Sequence, residues 1–223
     1  MFLSKIILAA VLVFITAFSV PAQKPEAKDW NIADYLKNLP KKYKTFRGDY
    51  DPPTKETTII DEPNGYAAYL NKPPRPEPVN DPPYPIFEMA LFKSQTKSPL
   101  VVAANLKSDA VCDDYETFFL RRVGDSWTEV SREVLPPMNL KMFWDKPQTA
   151  AKFLKIVERD NSTSYHFEPP RTGTRMKVSL EICKHFLKVV PNKQFNELSK
   201  IIESARPIYL DWDKQTGKFK FAK

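Results

Sequence analysis

The two cysteines of the chain are its most specific candidates for chemistry. Cys112 stands directly before Asp113 and Asp114, and Cys183 stands two residues before His185. In an oxidising compartment two thiols normally pair. We therefore predict a Cys112–Cys183 disulfide. It would close a loop of about 70 residues and add roughly 3 to 5 kcal/mol to stability in the chain-entropy model.

A zinc site is the alternative use of the same segments. Residues two apart on a strand share a face, so Cys112 would project with Asp114, and Cys183 with His185. Together these four side chains would supply a tetrahedral set. However, C-x-D and C-x-H are not the C-x-x-C pairs typical of structural zinc. The disulfide remains the prediction, and we expect no metal and no cofactor.

Enzymatic chemistry has weaker support. A catalytic cysteine would need His166 or His185 beside it, and a disulfide would remove the thiol. The common nucleophile, zinc-protease, dinucleotide and phosphate-loop motifs are absent from the sequence. Glycosidic hydrolysis needs two carboxylates across a cleft, and nothing singles out a pair, so the catalytic residues stay unassigned. The available acids are Asp113, Asp114, Glu116, Asp125, Glu168, Asp211 and Asp213.

The N-terminus has the pattern of a secretory signal. Lys5 precedes an apolar run over 6–18, and small residues follow up to position 22. The run is too short for a comfortable membrane span of roughly 20 residues. We predict a signal peptide over 1–22, no integral span after cleavage, and a periplasmic or secreted location.

The net charge of +7 is modest for 223 residues, and the lysines are scattered. A nucleic-acid binder would concentrate its basic residues on one face, so nucleic acid is not expected as a partner. The densest basic stretch is KNLPKKYKTFR, over 37–47. It is typical of a solvated helix end, and contact with an anionic surface such as phospholipid or wall polymer is its alternative.

Proline and turn residues divide the chain into β-rich parts. Ten of the 21 prolines fall within 51–85, and an extended Pro-rich loop is predicted over 71–85. Aromatic-rich strands flank it, and glycine turns close hairpins near residues 124 and 217. We predict an N-terminal helix and linker over 23–50, a first lobe over 51–139 and a second over 140–223. One continuous domain over 30–223 is the alternative.

Three helices are predicted from apolar residues at i, i+3, i+4 and i+7 spacing. The first runs from Ile32 to Leu39, the second from Pro147 to Val157, and the third ends before Pro207. Each stripe would cover a sheet. The fold class expected is α+β with β dominant, in antiparallel sheets covered by short helices.

Three stretches resemble a class of exported bacterial proteins that are uncharacterised. They are GDSWTEVSREVLPP, EPPRTGTRMKV and the closing YLDWDKQTGKFKF. That class has a W-x-x-V strand ending in Leu-Pro, a Pro-Arg-x-Gly-Thr turn and a final Trp and Gly-Lys-Phe hairpin. The resemblance implies bacterial export and a two-part β plan, and it implies no activity.

These observations favour an exported, non-catalytic binding or interaction protein of the bacterial envelope. Its partner would be a protein, peptide or polymer, and its candidate contact residues are Trp127, Tyr165 and Trp212. The alternative is a hydrolase of an envelope or extracellular polymer that uses a carboxylate pair. Converging acids would favour the hydrolase, and an aromatic patch without them would favour binding.

Overall fold

The computed structural model contains two antiparallel sheets of six and four strands. It describes residues 30–45, 52–72, 83–108, 113–157, 163–182 and 192–223. The predicted signal peptide, most of the Pro-rich loop and both cysteines lie outside these ranges. Within them, no helix is long and apolar enough to cross a membrane.

The first sheet is a meander in which each strand pairs with the next along the chain. Its last hairpin turns at Gly124, whose φ of 59° suits glycine. The strands are β1 Thr58–Asp61, β2 Tyr66–Leu70, β3 Pro85–Phe92, β4 Leu100–Ser108, β5 Asp113–Val123 and β6 Ser126–Glu129.

The second sheet has the strand order β10-β9-β8-β7, so β7 is an edge strand. Its final hairpin turns at Gly217, with a φ of 63°. A Cβ there would lie 3.1 Å from Ser94 Oγ and 3.2 Å from a guanidinium nitrogen of Arg121, so a larger residue would have to displace these side chains slightly. The strands are β7 Thr163–Glu168, β8 Arg175–Ile182, β9 Ile208–Asp213 and β10 Lys218–Phe221.

Four α-helices lie in the described ranges: α1 Ile32–Asn38, α2 Ser131–Val134, α3 Pro147–Val157 and α4 Asn192–Glu203. Asn31 caps α1 by accepting a hydrogen bond from the Asp34 amide on its side chain, and the Asp34 carboxylate accepts one from the Asn31 amide. Short 3-10 helices cover Lys41–Tyr43 and Leu140–Phe143. The three helices expected from the sequence are thus present.

Alternation along the strands of the first sheet gives it two apolar faces. One face packs under α1, where Ile32 and Leu36 meet Phe87 and Met89 of β3. The other packs against the second sheet, where Phe92 and Phe119 meet Phe219 and Phe167. Helices α3 and α4 add Phe153 and Leu198 to this second cluster.

The fold is therefore β-dominant α+β, as the sequence predicts. The division into two lobes near residue 140 stays a prediction. Each sheet falls on its own side of that position, yet side chains of both sheets pack in one hydrophobic cluster.

Candidate functional site

The side chains of strand β7 alternate between two faces, and these two faces have different surroundings. Tyr165 and Phe167 point to the hydrophobic cluster that joins the sheets. His166 and Glu168 point the other way, to polar groups of β8 and of the first sheet. An apolar groove and a polar cluster thus lie on opposite faces of one strand.

The apolar side is an open groove of about 360 Å³, which we call the β7 groove. This volume lies at the small end of the range of about 300–1,000 Å³ usual for ligand pockets. Its lining is mainly apolar, and the exposed Arg132 adds a positive charge to it. The lining residues are Ser131, Arg132, Leu135, Pro136, Pro137, Met138, Tyr165 and Phe167.

The local sequence gives the groove stiff walls. Helix α2 ends where the Leu135 amide donates to the Ser131 carbonyl at 3.0 Å. Pro136 and Pro137 then fix the backbone torsion φ and supply no N–H groups that need partners. On the opposite wall, Tyr165 stacks on Phe143 with ring centroids 5.8 Å apart and planes 18° from parallel. The groove is therefore formed largely in advance of any ligand.

The polar side is centred on Glu88 of β3, and we call it the Glu88 cluster (Tyr66, Glu88, His166 and Glu168). The Tyr66 hydroxyl donates to Glu88 Oε1 at 2.6 Å. Burial raises the pKa of Glu88, and the charge of Glu168 adds to this, while the Tyr66 hydrogen bond and the charge of His166 oppose it. Burial and the negative charge of Glu88 likewise raise the pKa of Tyr66.

His166 connects the cluster to β5. Its ring stacks on Tyr115, with centroids 3.9 Å apart and planes 8° from parallel. Its Nδ1 lies 3.3 Å from Glu181 Oε1. Its Nε2 is buried without a hydrogen-bond partner, and the same is true of Thr117 Oγ1 on the face of β5 that carries Tyr115.

Glu168 has two polar partners on β8. Lys177 Nζ donates to its Oε1 at 2.7 Å, and Ser179 Oγ donates to the same atom at 3.0 Å. The cluster therefore contains two carboxyl groups in different surroundings. Glu88 is desolvated with a raised pKa, and Glu168 is paired with a cation.

The three aromatic residues predicted as contacts lie in different surroundings. Trp212 is only 6% exposed, and its Nε1 donates to the Lys93 carbonyl at 2.7 Å. The indole is thus a core element and offers no outer face to a partner. Trp127 is half-buried and packs edge to face on Tyr35. Tyr165, also half-buried, is the one of the three that lines the β7 groove.

Four of the acids considered from the sequence have described side chains that lie outside the Glu88 cluster. Glu116 pairs with Lys107, and Asp125 pairs with Arg122 in the β5–β6 turn at 2.9 Å. Asp211 receives two hydrogen bonds from Arg175, which lower the pKa of its carboxyl. Asp213 accepts from the Gln215 amide at 2.9 Å in the last hairpin turn. Each of these four has a local structural partner.

The predicted disulfide and the alternative zinc set fall outside the described side chains. Cys112, Cys183 and His185 are not described, and Asp113 and Asp114 are described only as part of strand β5. In the part of the chain that is described, no three His, Cys, Asp or Glu side chains are grouped so as to hold a metal ion.

Glu88 is the site residue that sequence reasoning missed. It interrupts the apolar strand PIFEMALF, and this interruption was the available signal. Pro85, Phe87, Met89 and Leu91 alternate with it, so Glu88 had to face the other side of the sheet. Glu88 becomes a partly buried polar residue only because the second sheet packs against that side.

Comparisons with known proteins give no indication of this chain's chemistry. No family model matches the chain, and no curated protein matches it. The chain is similar to the solved "Structure of a domain of an uncharacterized protein from Porphyromonas gingivalis W83", with a TM-score of 0.48 and 10% identity over 74% of each chain. At this TM-score the similarity carries no argument about function.

Proposed function

We propose that this protein is an exported binding protein of the bacterial envelope, and that the β7 groove takes an extended peptide segment of a partner protein. One observation carries the proposal: the groove is an open, apolar, largely preformed concavity beside an exposed guanidinium group. Apolar and aromatic walls with few polar groups are typical of ligand sites.

The residues that line the β7 groove indicate which peptide side chains would bind there. Tyr165, Met138 and Pro136 offer apolar surface for one apolar or aromatic side chain of the peptide. Arg132 in the lining of the groove suits an acidic group next to that side chain. Because the prolines and the Tyr165–Phe143 stack already order the walls, little conformational entropy is lost on binding.

Export is the second part of the proposal, and it is supported by the apolar run that follows Lys5. Cleavage after residue 22 would give a mature chain that begins near Gln23. Intact mass and N-terminal sequencing of the protein from the envelope fraction would test this. An uncleaved chain in the cytoplasmic fraction would contradict it.

The groove is tested with peptides selected on the protein itself. A random peptide library displayed on phage is selected against the purified protein, and the enriched peptides are measured by fluorescence anisotropy. Met138→Asp puts a charge into the groove and should weaken binding at least tenfold, because an unpaired charge would be desolvated by the peptide.

The matched control for this substitution is Met142→Asp. Met142 is 37% exposed and does not line the groove, so the same change there should leave affinity within about twofold. Arg132→Gln should weaken only those peptides that carry an acidic residue. Failure to enrich any peptide, or equal losses in both methionine variants, would refute the groove as the binding site.

A carboxylate-pair hydrolase is the second candidate, and the Glu88 cluster is the observation that favours it. Acid–base catalysis uses two carboxyl groups in different surroundings, and here Glu88 is desolvated with a raised pKa while Glu168 is paired with Lys177. Release of reducing sugar from envelope polysaccharide should then disappear in Glu88→Gln and in Glu168→Gln. Activity that survives both changes, or none in the wild type, removes this candidate.

A further inference from the structure

The last turn of α1 and the segment that follows it carry four lysines. Helix α1 ends at Asn38, and a 3-10 turn follows over Lys41–Tyr43. Tyr43 is 6% exposed in the core under α1, and its carbonyl accepts a hydrogen bond from Asn105 Nδ2 at 2.9 Å. These two contacts fix the position of the turn against the first sheet.

We call the lysines of this segment the lysine patch (Lys37, Lys41, Lys42 and Lys44). The first three side chains are exposed. Lys42 Nζ lies 4.6 Å from the centroid of the Tyr43 ring, and Lys44 Nζ donates to the Leu36 carbonyl at 2.9 Å. These contacts hold two of the ammonium groups close to the turn.

The positive charge of the patch is not neutralised within the described part of the chain. None of its four lysines forms an ion pair there, whereas Lys97, Lys107, Lys152 and Lys177 each pair with a carboxylate. Burial lowers the pKa of Lys44, and the nearby charge of Lys41 adds to this. A rigid, unpaired group of cations of this kind attracts a surface that carries many anions.

We propose that the lysine patch docks the protein on anionic phospholipid headgroups. Charge complementarity supports an anionic surface, since basic residues close to such a membrane contribute about 1 kcal/mol each. The proposed envelope location supports a membrane as that surface, because an exported envelope protein encounters phospholipid headgroups. That second argument rests on the proposed export. The outcome of the vesicle experiment depends neither on export nor on peptide binding in the β7 groove.

The test is co-sedimentation of the purified protein with vesicles. Vesicles of phosphatidylcholine alone are compared with vesicles that also contain phosphatidylglycerol. We expect binding only to the anionic vesicles, falling as salt is added because exposed charges are screened. Lys41→Gln with Lys42→Gln should lower the partition coefficient about 25-fold, at about fivefold for each lysine.

Lys141→Gln with Lys146→Gln is the matched control. Both lysines are exposed, form no ion pair within the described residues and lie away from the patch, so the change in net charge is the same. This variant should bind the anionic vesicles nearly as well as the wild type. Equal losses in both double variants would mean that net charge alone attracts the protein, and the patch would be refuted.

Three further results would overturn the proposal. They are absence of binding to either vesicle, equal binding to neutral and anionic vesicles, and binding to soluble polyphosphate without binding to vesicles. The last result would assign the patch to an anionic polymer. The four substituted residues are exposed, and unchanged far-ultraviolet circular dichroism would verify that each variant is folded.

Discussion

The imidazole of His166 lies flat against the phenol of Tyr115, with the two ring centroids 3.9 Å apart. This stack joins edge strand β7 of one sheet to β5 of the other. His166 Nε2 is nevertheless buried without a partner, so the ring contributes packing at the cost of one unsatisfied polar atom. Shape and hydrogen bonding therefore have opposite effects at this position.

Replacing His166 by phenylalanine should separate these effects. His166→Phe keeps an aromatic ring for the Tyr115 stack and removes both the unpaired Nε2 and the Nδ1 contact with Glu181, so the free energy of unfolding should change by less than about 1 kcal/mol. His166→Ala loses the ring and should lower it by about 1–3 kcal/mol. Guanidinium unfolding measures both. Equal losses in the two variants would mean that an imidazole nitrogen makes an essential polar contact.

The raised pKa of Glu88 predicts a pH dependence of known sign. Its folded-state pKa lies above the ordinary carboxyl value of 4.5, so its favourable contribution is complete below that pH. The contribution is lost as the pH rises through the folded-state value. In Glu88→Gln this loss is absent, so the variant should gain stability relative to the wild type as the pH rises from about 4.

Glu133→Gln is the control with the opposite sign. A hydrogen bond from Lys97 lowers the pKa of Glu133, so the wild type gains its advantage above the ordinary carboxyl value of 4.5 and loses it on acidification. Unfolding curves at several pH values measure both differences. If Glu88→Gln and Glu133→Gln drift in the same direction, the assignment of Glu88 as a desolvated carboxyl is wrong.

Arg121 should be important for holding the last hairpin against the first sheet. Arg121 is 5% exposed, and its guanidinium donates a hydrogen bond to the Gly217 carbonyl at 2.7 Å. Arg121→Leu leaves that carbonyl without this donor and should cost about 2 kcal/mol of unfolding free energy.

Arg206→Leu is the comparison for Arg121→Leu. Arg206 pairs with Asp145 at 2.6 Å, but its side chain is 74% exposed, and such surface pairs contribute about 0–1 kcal/mol. Thermal or chemical unfolding should therefore separate the two variants. A loss in Arg121→Leu no larger than that in Arg206→Leu would show that the buried contact does not stabilise the hairpin.

The disulfide prediction can be tested by mass alone. Strand β5 begins at Asp113 and β8 ends at Ile182, so each cysteine adjoins a described strand. The unreduced protein from its envelope should be lighter by two hydrogens than the reduced chain and should resist alkylation. Two thiols that alkylate without reductant, or an added zinc mass, would contradict the bond.

Local patterns were sufficient to predict much of the architecture. Apolar spacing between Ile32 and Leu39 gave α1, and the glycines at 124 and 217 gave two hairpins. Strand β1, Thr58–Asp61, was missed because four residues among polar and turn-forming neighbours give little periodic signal.

Those local patterns do not predict which side chains become buried between the two sheets. Alternation puts Trp212 on the apolar face of β9. The indole becomes part of the core only because Phe92 of the other sheet packs against it. The β7 groove likewise needs Tyr165 and Met138, which are 27 positions apart in the sequence, to be brought together by the fold. Contacts between distant strands depend on topology, which local spacing does not encode.

Methionine methyl NMR tests the β7 groove most directly. The described methionines are Met89 and Met176 in the core, Met138 in the groove and the exposed Met142. With ¹³C-methyl methionine, titration of a display-selected peptide should shift the Met138 signal in proportion to occupancy and leave Met142 unmoved. A bound peptide that shifts Met142 or no methionine, while Met138 stays in place, would contradict the account.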